Sequence, residues 1–246
     1  MATRITLFGN KADEIRSEFD KYPEFAVGEE DPDFVVCYGG DGTLLSAERR
    51  WPGVPKVPIR NSRRGKRCIA HPAPLVIERL ARGQLAHTEY MKLECSLRRA
   101  KQSEPAHRLV AMNEINVHMG RINAALRFSM WLDDEPYGAD LEIIGDGFLI
   151  STPFGSTAYF NHLTRGVFHA GLGIAFKATT EQTHHLVAHE DATIRVLITR
   201  GPGVLGYDNC PDYIDLEEGD ELLTRKHAHP AIVLTWSPMK YQSDAF

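Results

Sequence analysis

Five consecutive residues, Gly39-Gly40-Asp41-Gly42-Thr43, set a carboxylate and a hydroxyl among three glycines, between an apolar run and an amphipathic one. The apolar run reads as a strand and the amphipathic run as a helix. The pentapeptide therefore sits where unpaired backbone N–H groups and the helix dipole favour a phosphate. Glycine lets a ligand approach the backbone closely. Ordinary residue frequencies produce this order in roughly one in 4,000 chains of this length, so it carries weight. No lysine follows the last glycine, as it would in a Walker loop. Cation help for a phosphate must then come from a metal or from another segment. The bland alternative is a tight strand-to-helix turn capped by Asp41, although a cap needs fewer glycines.

Other candidates are weaker. Gly201-Pro202-Gly203-Val204-Leu205-Gly206 matches GxGxxG after a strand-like stretch. Turn-forming sequence rich in proline and tyrosine follows where a dinucleotide-binding helix would have to start, so the segment reads as a β-connection. His227-Ala228-His229 would place two imidazoles on one face of a strand, and His184 adjoins His185. No third ligand stands at a recognisable spacing, so no protein-held metal is expected. Trp51 and Trp131 read as core or interface anchors.

The elements that must position these residues change character along the chain. Residues 5–8 form an apolar run closed by Gly9-Asn10, and 11–19 follow with Ile15 and Phe19 at helical spacing. Phe34-Val35-Val36-Cys37-Tyr38 is β-branched and aromatic, as a buried parallel strand would be. Residues 43–51 then place Leu44, Ala47 and Trp51 on one helical face. Strand, helix, strand, glycine turn and helix open an α/β unit with a mostly parallel sheet. From about residue 90, short alternating segments dominate: 110–112, 126–132, 148–151, 193–199 and 231–235, with a turn at 217–220. This half is expected to be mainly antiparallel β. The expected division is an α/β unit over 1–92, with 232–246 as a returning segment, and a β-rich unit over 93–231.

Composition narrows the partners. The 246 residues are 43% hydrophobic and 25% charged, an ordinary globular content. Twenty-eight basic against 33 acidic residues leave a net charge of -5, with no global field for nucleic acid or an anionic membrane. The N-terminus turns polar at Gly9 and Asn10, too soon for a secretory leader, and no eighteen-residue apolar run occurs, so a cytoplasmic location is expected. Cys37, Cys68, Cys95 and Cys210 are scattered without a CxxC pair, as reduced structural thiols would be.

Residues 39–43 resemble the diphosphate-binding motif shared by NAD kinases, diacylglycerol kinases and sphingosine kinases. A second set of residues separates these branches. Asn113-Glu114, ahead of Ile115-Asn116-Val117, is similar to the Asn-Glu pair of NAD kinases. Ser151-Thr152-Pro153-Phe154-Gly155-Ser156-Thr157-Ala158-Tyr159, preceded by Gly145-Asp146-Gly147, resembles their dinucleotide-binding segment. The resemblance runs from about residue 34 to 166, then fades to an echo at Tyr207-Asp208-Asn209.

The resemblance implies phosphoryl transfer from ATP, or inorganic polyphosphate, to the 2′-hydroxyl of the adenosine ribose of NAD. It implies Mg2+ carried by the donor and a homodimer or homotetramer built through the β-rich unit; because ligands favour the carboxyl ends of parallel strands and domain boundaries, the site is expected in the crevice between the two units. Asp41 would accept or orient the hydroxyl proton, while Gly39, Gly40, Gly42 and Thr43 address the donor phosphates. Asn113 and Glu114 would meet adenine and ribose, Ser156 and Thr157 would hydrogen-bond the adenine, and Thr152 belongs to the same NAD-binding segment. Ala158 and Tyr159 would contact the nicotinamide end, with Asp146 accepting from its amide or ribose. Phe154 departs from the usual threonine and puts an apolar ring at the pocket rim. Residues 60–67 keep Asn61 and Gly65 but introduce five cations, of which Arg63 and Arg64 are candidates to hold donor phosphate in place of the missing loop lysine; a solvated basic loop is the competing reading. The segment 181–189 departs altogether. Rival functions are a kinase of a related nucleotide or lipid, and a non-catalytic dinucleotide-binding module.

Overall fold

A computed structural model describes residues 2–28, 30–63, 65–138 and 142–237. The chain divides into two compact units, Met1–Tyr90 with His229–Phe246, and Met91–Ala228. No helix among the described residues is long and apolar enough to cross a membrane.

The first unit is built on a six-stranded sheet in the order Phe25–Val27, Thr3–Phe8, Phe34–Gly39, Lys56–Arg60, Ala231–Thr235, Ala86–Tyr90. Neighbours run parallel until the last pair, which is antiparallel. Val35, Val36 and Cys37 are buried, as expected of a strand covered on both faces. Ile5, Val36, Val57 and Ile59 pack with Ile15, Phe19, Val76, Ile77 and Leu80 into one core. The expected helix over 11–19 is instead a 3-10 turn, Ala12–Ile15, followed by one α turn, Arg16–Phe19, neither with a side-chain cap. Its core contacts survive because Ile15 and Phe19 keep their four-residue spacing. A second helix, Ala73–Ala81, is not evident from pattern alone because prolines flank its start. Proline there is compatible with a first helical turn, whose N–H groups lack intrahelical partners anyway.

The second unit is antiparallel throughout. One sheet runs Glu135–Tyr137, Leu126–Leu132, Ile194–Arg200, Glu221–Lys226, Leu93–Arg98, His107–Ala111, with Ile143–Gly145 also pairing to Leu126–Leu132. The other runs His185–Ala188, Leu172–Lys177, Gly147–Ser151, Glu114–Met119, Gly203–Tyr207, Ile214–Leu216. Leu93, Leu97, Phe128 and Val196 of the first sheet share a core with Ile115, Val117, Phe148, Ile150 and Ile174 of the second. Strand alternation then turns Glu114, Asn116 and His118 to the opposite face of the second sheet. That face also carries the short helix Tyr159–Thr164, whose Phe160 packs with Leu149, Phe168 and Ala175. The α/β unit followed by a β-rich unit is the fold class read from the sequence.

Candidate functional site

The glycine turn of the first unit leaves the Phe34–Gly39 strand and enters the helix Asp41–Arg50, with Gly40 at the N-cap and no side-chain cap. Asp41 is the first helical residue and does not cap it. Its carboxylate accepts hydrogen bonds from the backbone N–H of Lys66 at 3.0 Å and of Arg67 at 2.8 Å. The Cys68 thiol donates to the same carboxylate at 3.6 Å, and burial, with Asp41 beside it, pushes that thiol well above its ordinary range. Asp41 is thus half-buried and fixed in orientation by a neighbouring segment. A Cβ at Gly39 would lie 2.2 Å from the Thr43 hydroxyl oxygen, so glycine here serves the close packing of the turn on itself.

The basic segment is divided. Lys56–Arg60 is a strand, paired in parallel to Phe34–Gly39, and only the residues after it form a loop. Arg63 and Lys66 are exposed, while Arg67 is partly buried near Asp41 and Tyr90. Arg64 lies outside the described residues. Lys66, Arg67, Cys68, His71, Tyr90 and Trp236 help line a cavity of about 300 Å³ beside the turn.

In the second unit the expected dinucleotide residues converge from distant positions. Asn113 immediately precedes and Glu114 begins the Glu114–Met119 strand, and 152–159 leave the Gly147–Ser151 strand paired beside it. Gly155 presses against this junction: a Cβ there would lie 2.2 Å from the Asn113 carbonyl oxygen, backbone against backbone. The Thr152 hydroxyl donates to the Met112 carbonyl at 2.6 Å and accepts from the Gly155 N–H at 3.0 Å. The Ser156 hydroxyl has the carbonyl oxygens of Pro153 and Phe168 within reach as acceptors, at 2.8 and 3.1 Å. Both residues are fully buried, and their hydroxyls hold the loop together. Phe154 is also corrected: it is buried at 3% exposure and does not stand at a rim, as a large apolar ring gains more from the core than from solvent. Thr157 and Ala158 are half-buried, and Tyr159 is 36% exposed.

Asp208, only an echo in the sequence, organises this junction. Its carboxylate accepts from the backbone N–H groups of Met112, Asn113 and Glu114 at 2.8, 2.7 and 3.3 Å. It does so from a left-handed backbone, φ 46°, a conformation that Asp tolerates better than most residues. The Asn113 side-chain amide has no hydrogen bond among the described residues, and Glu114 Oε2 is buried without one. Burial first, then the Asp208 charge, pushes the Glu114 carboxyl up to about 8, with Lys177 opposing. Lys177 was not singled out by any motif. It ends an apolar strand, Leu172–Lys177, that pattern reading passed over, and a lysine closing such a run was the available signal.

The remaining histidine candidates do not assemble. His227 and His229 lie beyond the end of Glu221–Lys226, off the strand, with His229 in a bend. No group of three or more His, Cys, Asp or Glu side chains suited to a metal occurs among the described residues.

No family model matches the chain. Curated NAD kinases do, among them that of Nitrosospira multiformis, 26% identical over 233 residues, which span 90% of this chain and 77% of that protein. Yeast NADH kinase, solved in complex with NADH, superposes with a TM-score of 0.86 over 99% of this chain and 86% of that one, at 16% identity. An NAD kinase from Archaeoglobus fulgidus, solved in complex with ATP, gives 0.75 over 96% of this chain and 94% of that one, at 18% identity. In sequence across most of its length and in fold across nearly all of it, the chain is a homologue of the NAD kinases.

Proposed function

We propose that the chain is an NAD kinase, transferring a phosphoryl group from ATP or polyphosphate to the 2′-hydroxyl of the adenosine ribose of NAD and yielding NADP. The observation that carries this reading is Asp41: a carboxylate in the first turn of an uncapped, glycine-led helix, aimed by two backbone N–H donors. Phosphoryl transfer asks the protein mainly for position and charge compensation. Asp41 accepts or orients the hydroxyl proton while Gly39, Gly40, Gly42 and Thr43 surround the donor phosphates. Arg63 lends a mobile positive charge, and Arg64 is assigned the same part.

Asn113 offers its unengaged amide to adenine, and Glu114 meets ribose hydroxyls. Thr157 meets the adenine, while Ala158, Tyr159 and Asp146 face the nicotinamide end. Thr152 and Ser156 shape the loop that presents them. Mg2+ accompanies the donor and neutralises its charge, held by phosphates and water, since magnesium needs few protein ligands. The α/β unit is the donor unit and the β-rich unit the acceptor and assembly unit, in a cytoplasmic homodimer or homotetramer. Sedimentation of the purified protein tests that assembly.

The decisive experiment incubates the chain with NAD, NADH, other nucleotides, diacylglycerol and a sphingoid base, each with Mg-ATP or Mg-polyphosphate. A dinucleotide product heavier by one phosphoryl group is expected. Phosphorylation of a lipid instead, or dinucleotide binding without turnover, would overturn the reading.

A further inference from the structure

We infer that Lys177 is a specificity residue of the acceptor site: its buried ammonium, beside Tyr159 and Asp146, disfavours an oxidised nicotinamide ring and turns the enzyme towards NADH. The inference rests on the reading above, in which those two residues face the nicotinamide end.

The geometry is that of a charge built into the sheet. Lys177 is 5% exposed, and its Nζ donates to Asn116 Oδ1 and, at 2.7 Å, to the Val117 carbonyl. To reach them it crosses the Gly147–Ser151 strand at Gly147, which stands opposite both Lys177 and His118 in register. Two of its three N–H groups are engaged by this pair of acceptors. The ammonium also lies 5.5 Å from the centre of the Tyr159 ring. Asp146 joins the same place through the backbone, its N–H donating to the Lys177 carbonyl at 2.9 Å. A ring held against Tyr159 is therefore only one ring's thickness further from the ammonium.

The consequence is electrostatic. Oxidised nicotinamide carries a positive charge and dihydronicotinamide none, while the rest of the two dinucleotides is alike. Discrimination between such partners can be built from a repulsive element against one of them. A buried cation is such an element, because low dielectric and poor screening lengthen its reach.

The surrounding groups decide how this charge responds to pH. Glu114 and His118 share its sheet face, Asp146 lies in the turn ahead of the middle strand, Asp208 lies beyond Glu114, and Tyr159 comes from the covering helix. Burial, opposed by Glu114 and Asp146, brings Lys177 down to about 7, and Glu114 is pushed up to about 8. Raising the pH removes the lysine's positive charge and gives Glu114 a negative one. Both changes favour the oxidised ring.

The test measures kcat/KM for NAD and for NADH from about pH 6.5 to 9 in the native protein, Lys177→Met and Lys177→Arg. The NAD:NADH ratio of the native protein should rise by about tenfold across this range, the scale of one partly screened charge. Lys177→Met should start about tenfold above the native ratio at the acid end. Lys177→Arg, whose guanidinium keeps its charge, should stay low throughout. A native ratio flat with pH, or a Met variant with the native ratio, overturns the inference, and the native pH series stands even if the Met variant does not fold. Failure of the native protein to phosphorylate either dinucleotide sinks the functional reading and this inference with it, whereas turnover with an unmoved ratio sinks the inference alone.

Discussion

In the first unit the candidate chemistry lies within residues 39–68, at the ends of two neighbouring parallel strands and in the loop that follows. In the second it is gathered from 113–114, 146, 152–159, 177 and 208, which share a place because the Gly203–Tyr207, Glu114–Met119, Gly147–Ser151 and Leu172–Lys177 strands lie side by side. The local arrangement leaves Asp41 close to the surface with few duties beyond its own orientation. The distributed one gives many residues two duties, since a side chain at the candidate site also joins strands far apart in sequence. Substitutions in the first unit should therefore separate chemistry from stability, and those in the second should mix them.

The largest effect should follow Asp41→Asn, which keeps an acceptor but removes the charge. Turnover should fall by about 10²- to 10⁴-fold, the usual worth of a general base, while dinucleotide affinity measured by calorimetry stays close to native. A loss of binding equal to the loss of rate would break the contrast. Asp208→Ala comes next, because three buried backbone N–H groups lose a charged acceptor. Urea unfolding should show a loss of about 2–4 kcal/mol, together with a raised KM for the dinucleotide and an unchanged KM for the donor. Thr152→Val should cost about 1–3 kcal/mol by leaving the Met112 carbonyl and Gly155 N–H unpaired. A variant of native stability with weakened acceptor binding would return that hydroxyl to the ligand.

Glu114 supplies a pH-dependent version of the same test. Its carboxyl is raised from 4.5 to about 8, so between those values the folded chain holds a proton that the unfolded chain releases. Its contribution to stability is then present below the lower value and lost as pH rises through the higher one. Glu114→Gln should lower the urea midpoint less than the native protein does between about pH 5 and 8; an identical slope would mean the carboxyl is ionised throughout. The smallest effect should belong to Arg63→Glu, an exposed charge. A donor KM raised about two- to fivefold at low salt, and recovered towards native at high salt, is expected. No change would leave the basic loop a solvated feature only.

How much of this was legible depends on the range of the interactions. Gly39 to Thr43 could be found because a strand, a turn and a helix start follow one another without a break. The strands Leu126–Leu132 and Ala231–Thr235 announced themselves by local apolar and β-branched patterning. The helix Ala73–Ala81 did not, because its prolines read as loop until the first turn is seen to tolerate them. Phe154 reads as a rim residue because it stands where the resembled family usually carries threonine. Its burial is set by the packing of the second unit, which no neighbour in sequence reveals.

The sequence by itself determined the order of elements, the change from α/β to β texture, and which short segments are candidates for phosphate- and dinucleotide-type chemistry, since each is a matter of residues close along the chain. Only the tertiary structure decided what those segments touch. It assigned the Thr152 and Ser156 hydroxyls to the loop, set Asp208 under the 112–114 backbone, and buried Lys177 beside Tyr159. The reason is physical: hydrogen bonds and charges act over a few ångströms of space, and strand pairing brings within that distance residues that the chain keeps dozens of positions apart.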